Sequence, residues 1–194
     1  MPPEDFEPQE SESRSPRTVK RDLRLAHRRS RYAGKDQVFN NKIKLMTQWW
    51  IDENKVLGSS NPTTDELEQL LQDGFHTIIS LLDEGEQTPY YDVERIVAMG
   101  FDRRSIPMKD FTAPAQKQFM AFLNMMGQAS GKVLIHCQGG YGRTGAMAAA
   151  YWIEKGLPAH EAVRKVRRLR PGALEIVEQE ESLYDLEGYL LTLK

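Results

Sequence analysis

Apolar positions along this chain recur in two alternating periods. Thr63-x-x-Glu66 has the form of a capping box. It precedes Leu67, Leu70 and Leu71 at helical spacing, and Gly74 then closes the predicted helix. Thr77 to Leu82 predicts a core strand, and about Pro89 to Met99 a helix that leads through Gly100 into a strand over Phe101 to Ile106. Phe119, Phe122, Leu123 and Met126 mark the inner face of the next helix. Lys132-Val133-Leu134-Ile135 predicts a short buried strand and Ala146 to Ile153 a buried helix. Ala162, Val163, Val166 and Leu169 line one later helix, and Leu183, Leu186 and Leu190 another. Trp49 and Trp50, ahead of Ile51 to Leu57, are expected to start the edge of the sheet as packing residues. Strands alternating with helices predict an α/β fold, with a central, mostly parallel sheet flanked by helices.

The first thirty-five residues follow neither period. An acidic, proline-containing stretch from Met1 to Glu12 gives way to Arg14, Arg17, Lys20, Arg21, Arg24, Arg28, Arg29, Arg31 and Lys35, interrupted by Asp22 alone. This composition predicts a disordered polyampholytic tail over residues 1–35, ahead of one folded domain over 36–194. The basic segment reads either as a solvated linker or, with Val19, Leu23 and Ala26 as a weak apolar stripe, as a contact for an acidic partner or surface. The rest of the composition bounds the function classes. A net charge of −2 over 194 residues gives no global pull toward nucleic acid. The longest apolar stretch, Ala146 to Ile153, falls far short of the roughly 20 residues that cross a bilayer, and the first thirty residues hold no apolar segment of the kind a secretory signal needs. One cysteine excludes an intramolecular disulfide. A reducing, cytoplasmic location is expected.

That lone cysteine lies in the most informative stretch, His136-Cys137-Gln138-Gly139-Gly140-Tyr141-Gly142-Arg143-Thr144-Gly145, between the short strand and the buried helix. Gly139, Gly140 and Gly142 are free to take positive φ. A loop of Gln138, Gly139, Gly140, Tyr141 and Gly142 can therefore turn its backbone N–H groups inward as an anion-binding nest. A helix starting near Arg143 would aim its free N–H groups at the same point. Both effects stabilise a phosphate and the thiolate form of Cys137. Arg143 adds a planar fork able to hold two phosphate oxygens. The bare Cys-to-Arg spacing is weak evidence, and free cysteines often simply fill cores. The conjunction of strand, glycine loop, arginine, threonine and small-residue helix is not weak.

His136-Cys137, five residues, Arg143 and Thr144 together resemble the signature of the cysteine-dependent protein phosphatases. With Arg168-Leu169-Arg170-Pro171-Gly172 and Glu178-Gln179-Glu180 downstream, the match resembles the small atypical dual-specificity phosphatases and covers roughly Trp49 to Leu191. The resemblance implies an α/β fold, no metal or other cofactor, a phosphocysteine intermediate and a phosphorylated protein or peptide as substrate. Phosphotyrosine comes first, with phosphoserine and phosphothreonine open. A general acid is then required on an upstream loop, and Asp110, bracketed by Pro107 and Pro114, is the natural candidate. A turn or helix-cap role competes for it, and Asp102 and Asp83 are alternatives. By the same resemblance Thr144 would hydrogen-bond the sulfur of the leaving thiolate, and Gln179 would position the hydrolytic water. His136 either supports the loop or is a satisfied buried polar group. Tyr141 shapes the pocket rim or packs beneath it. Three other functions share parts of the pattern: a phosphoinositide or inositol-phosphate phosphatase, a phosphate-binding pseudophosphatase and a sulfur-transfer enzyme of rhodanese type. A phosphate loop without lysine speaks mildly against the first.

Overall fold

The computed structural model describes residues Met46 to Leu193, so the predicted tail and its boundary at residue 36 lie outside the described residues. Five strands form one sheet: β1 (Gln48–Asp52), β2 (Val56–Ser59), β3 (Phe75–Leu82), β4 (Asp102–Met108) and β5 (Lys132–His136). Their spatial order is β1-β2-β5-β3-β4, antiparallel only between β1 and β2. The helices are α1 (Thr64–Gln72), α2 (Val93–Ala98), α3 (Gln116–Gln128), α4 (Gly142–Glu154), α5 (Ala159–Leu169) and α6 (Val177–Thr192).

Strand alternation sorts the core into two layers. Ile79 and Leu81 of β3 and Val133 and Ile135 of β5 pack against α3, α4, α5 and α6. Their neighbours Ile78 and Leu134, with Leu57 and Phe75, pack against Leu67 and Leu70 of α1 and Ile96 of α2. Ile78 is fully buried, so Ile78→Ala would cost about 2–5 kcal/mol. The capping box forms at α1: Thr63 Oγ1 accepts the Glu66 N–H, and Glu66 Oε2 accepts the Thr63 N–H at 2.8 Å. Gly74 follows α1 at φ +87°, as a residue closing a helix should.

Trp49 and Trp50 lie on edge strand β1, and Asn54, at φ +60°, reverses the chain into β2. Three local expectations are corrected. Pro107 does not break its strand; it sits inside β4, an edge strand whose free side needs no N–H. The helix expected from Pro89 starts only at Val93, where the Asp92 side chain accepts the Arg95 N–H at 3.0 Å. Leu169, placed inward by periodicity, is exposed in the last turn of α5.

The register aligns the carboxyl ends of the parallel strands. Ser80 pairs with His136 on β5 and with Ser105 on β4, and Ser59 of β2 pairs with His136. The loops after β2, β3, β4 and β5 therefore emerge at one edge, where open α/β sheets place their sites.

Candidate active site

Strand β5 ends at His136, and the chain reaches α4 through residues 137–141. Cys137 is buried, and its Sγ accepts the Gly140 N–H at 3.2 Å, a contact that stabilises negative charge on the sulfur. Of the three loop glycines only Gly140 has positive φ, at +73°, so one left-handed residue makes the turn where three were expected to be available. The loop is held from outside. Trp49 Nε1 of edge strand β1 donates to Gly140 O at 3.3 Å, so this tryptophan supports the phosphate loop as well as packing. Gly145 N–H and Leu174 N–H both donate to Tyr141 O. The Tyr141 ring lies under the Arg170 guanidinium, 3.8 Å from its centroid, and so packs against the Arg-Pro-Gly turn.

Arg143, in the first turn of α4, is 1% exposed. Its Nη1 donates to Met108 O at 2.9 Å and to Leu81 O at 3.4 Å, which ties it to the ends of β4 and β3. Its Nη2 donates to Gln87 Oε1 at 2.8 Å and lies 3.1 Å from Asp110 Oδ1. Its Nε is buried without a hydrogen-bond partner in the protein. The structure thus brings Asp110 to the arginine of the phosphate loop. Asp110 also accepts the Gln87 Nε2 N–H at Oδ2, 3.0 Å, and the Phe111 N–H at Oδ1, 3.1 Å. Phe111 itself is held at φ +54°, a costly conformation for a bulky residue that fixes the turn after Asp110. Of the alternatives, Asp102 pairs with Arg104, and Asp83 lends its backbone carbonyl to the Gln87 N–H.

The remaining sequence candidates are distributed around this centre. Thr144 is fully buried, but its Oγ1 makes no hydrogen bond, so the expected bond to sulfur is not formed here. Gln179 is 1% exposed, not a surface helix residue; its Nε2 donates to Thr112 O at 3.1 Å and so ties the start of α6 to the loop that carries Asp110. The absence of a side chain at Gly142 permits this approach, since a Cβ there would stand 2.9 Å from Gln179 Nε2. The Gln138 side chain is held by two partners: Asn61 Nδ2 donates to its Oε1 at 3.1 Å, and its Nε2 donates to Tyr90 Oη at 2.5 Å.

His136 is fully buried and lies 3.0 Å, through Nε2, from Tyr91 Oη. Tyr91 Oη also accepts the Arg103 Nε–H at 3.1 Å. Burial pulls the His136 pKa down to about 3, helped by the positive charges of Arg103 and Arg143 and opposed by the Cys137 backbone. The ring is therefore neutral near pH 7. Burial also pushes the Tyr91 phenol upward, against the lowering effect of Arg103. Sequence reasoning missed Gln87, Tyr90, Tyr91, Asn61 and the loop contact of Trp49. None of them lies in the signature, and only tertiary pairing brings them to it.

A thiol seated on a loop amide, with a buried arginine at the head of the next helix and a carboxylate beside it, defines the class of cysteine-based phosphate-loop proteins. A family model described as "Tc-R-P: Polymorphic toxin system, DSP-PTPase phosphatase" matches residues 54–157, more than half of the 194-residue chain. Among curated proteins the chain is similar to the dual specificity protein phosphatase CDC14B of Mus musculus, at 31% identity over 43% of this chain. That match spans only 18% of the mouse protein, so the chain corresponds to under a fifth of that relative's length. Among solved structures, Tk-PTP in the active form is 35% identical with a TM-score of 0.67, covering 73% of this chain and 96% of that one. PTPMT1 in complex with PI(5)P shares the fold at 19% identity, with a TM-score of 0.68 over 75% of this chain and 97% of that one. The chain belongs to the DSP-PTPase family, within the cysteine-dependent dual-specificity phosphatases. Among the described residues no helix is long and apolar enough to cross a membrane.

Proposed function

We propose that this protein is an active phosphatase that hydrolyses phosphotyrosine in proteins or peptides. One observation carries the reading: Cys137 Sγ sits on the Gly140 amide in the loop that leads into the buried Arg143, whose Nε is partnerless and whose Nη2 lies 3.1 Å from Asp110. The Cys137 thiolate attacks phosphorus; an S–P bond forms as the P–O bond breaks, and the proton of Asp110 goes to the departing oxygen. Water then attacks the phosphocysteine and gives a proton back to Asp110, which restores the thiolate and releases orthophosphate. Arg143 and the loop amides hold the phosphoryl oxygens through both steps, and Arg143 Nε is a donor that a phosphate oxygen would satisfy. Thr144 would reach the sulfur when the intermediate collapses, and the bond from Gln179 to Thr112 O supports a role for Gln179 in holding the acid loop. Tyr90 supports an aryl phosphate: its ring is 60% exposed and is pinned to the phosphate loop through Gln138.

The test is orthophosphate release by the full chain from phosphotyrosine, phosphoserine and phosphothreonine peptides and from PI(5)P vesicles. Phosphotyrosine peptides are expected to give the highest kcat/KM, and Cys137→Ser to bind them without turnover. Faster release from PI(5)P would move the assignment to phosphoinositides. Wild-type protein that binds phosphopeptide without turnover would make it a pseudophosphatase.

A further inference from the structure

Gln87, on the loop after β3, is absent from the signature yet touches both charged groups of the site. We infer that Gln87 is a positioning residue that locks the general acid to the phosphate-binding arginine. Its amide closes a triangle: Oε1 accepts Arg143 Nη2 at 2.8 Å, Nε2 donates to Asp110 Oδ2 at 3.0 Å, and Nη2 lies 3.1 Å from Asp110 Oδ1. A side-chain amide accepts from a guanidinium through its oxygen and donates to a carboxylate through its nitrogen at once. Glutamate there would keep the first contact, lose the second and set a like charge against Asp110.

The loop that presents Gln87 is itself fixed. Gln87 N–H donates to Asp83 O at 2.8 Å. Asn61 Nδ2 donates to Thr88 O at 3.0 Å, while the Asn61 backbone N–H donates to Gln138 O at 3.2 Å. The chain after β3 is thereby bolted to the phosphate loop, and Gln87 carries that registration across to the acid. The Asp110 ion pair alone would not do this, because Asp110 is one-third exposed on a loop and water competes for its oxygens. The amide fixes the second carboxylate oxygen, and so the plane from which a proton would leave.

The inference rests on Asp110 being the acid, and one experiment separates the two assignments. The full chain and its Gln87→Ala, Gln87→Glu and Asp110→Asn variants are assayed by kcat/KM on p-nitrophenyl phosphate and on phenyl phosphate. The first leaving group departs without a proton; the second needs one. Gln87→Ala and Gln87→Glu are both expected to lose about 10-fold or more on phenyl phosphate beyond any loss on p-nitrophenyl phosphate. Gln87→Glu, which keeps the Arg143 contact, is expected to lose less than Gln87→Ala on p-nitrophenyl phosphate. Should Gln87→Ala fail to fold, Gln87→Glu carries the same comparison. Equal losses on both substrates, or none, with a leaving-group-selective Asp110→Asn overturn the role of Gln87 alone. An Asp110→Asn variant without leaving-group selectivity overturns the acid assignment and the role of Gln87 with it.

Discussion

Adding one methyl group at Gly140 probes the phosphate loop at its tightest point. An ideal Cβ there would stand 2.7 Å from the Ser59 carbonyl carbon, 2.8 Å from Ser59 O and 2.8 Å from Ser60 N. All three are backbone atoms at the end of β2, so no rotamer change relieves the contact. Alanine would also have to adopt φ +73°, at a cost of about 1–2 kcal/mol. Reaching ordinary contact at 3.4 Å then requires a shift of ~0.7 Å in the loop or in β2, adding about 1–3 kcal/mol of packing strain. That shift separates the Gly140 N–H from Cys137 Sγ and Gly140 O from Trp49. Gly140→Ala is therefore expected to lower the melting temperature by about 4–20 °C. It should also lower kcat/KM on p-nitrophenyl phosphate by about 10²-fold, the scale of a displaced reacting group. Gly139→Ala is the stability control: its nearest neighbour is Tyr141 Cδ2 at 3.5 Å and its φ is not left-handed, so its melting point should stay within about 2 °C. Calorimetry and steady-state kinetics check both. A Gly140→Ala protein with wild-type melting and rate, or a Gly139→Ala protein equally destabilised, would refute this account of the loop.

Three further outcomes are expected. Because the His136 pKa falls from 6.5 unfolded to about 3 folded, the unfolded chain binds the extra proton between those values. Stability from this group is complete above pH 6.5 and declines as pH drops, by about 1.4 kcal/mol per pH unit; urea unfolding of wild type and His136→Gln should differ in slope over that window. Tyr91→Phe strands His136 Nε2 and Arg103 Nε and should cost about 1–3 kcal/mol by the same unfolding measurement. Arg143→Lys keeps the charge but loses the fork, and kcat/KM should fall at least about 10²-fold with an unchanged circular dichroism spectrum.

The parts of this molecule legible in its sequence are those whose causes are local. Thr63 and Glu66 specify their cap across one turn, and the stretch from His136 to Gly145 carries its strand, loop and helix contiguously. Asp110 was found because two prolines marked a loop, although Pro107 turned out to sit within an edge strand. The rest depends on tertiary pairing. Gln87, in a polar loop, meets Arg143 only because β3 and β5 pair in parallel register, 56 residues apart in sequence. Trp49 reaches Gly140 because the hairpin turn at Asn54 folds β1 back beside β2; the polar stretch Asp52 to Lys55 marks a break in the sequence but not which strand the returning chain lies beside. Periodicity likewise predicts an inward Leu169 without knowing where the partner surface of α5 stops.

The sole sulfhydryl of the sequence is also the one seated on the Gly140 amide. Alkylating reagents, mass tags and fluorophore maleimides therefore have a single address, without background substitutions. The rate at which iodoacetamide modifies the folded chain becomes a direct clock for how often the site around Cys137 admits a small molecule. Protection by vanadate or orthophosphate in that clock measures anion occupancy, even for variants too slow to assay by turnover.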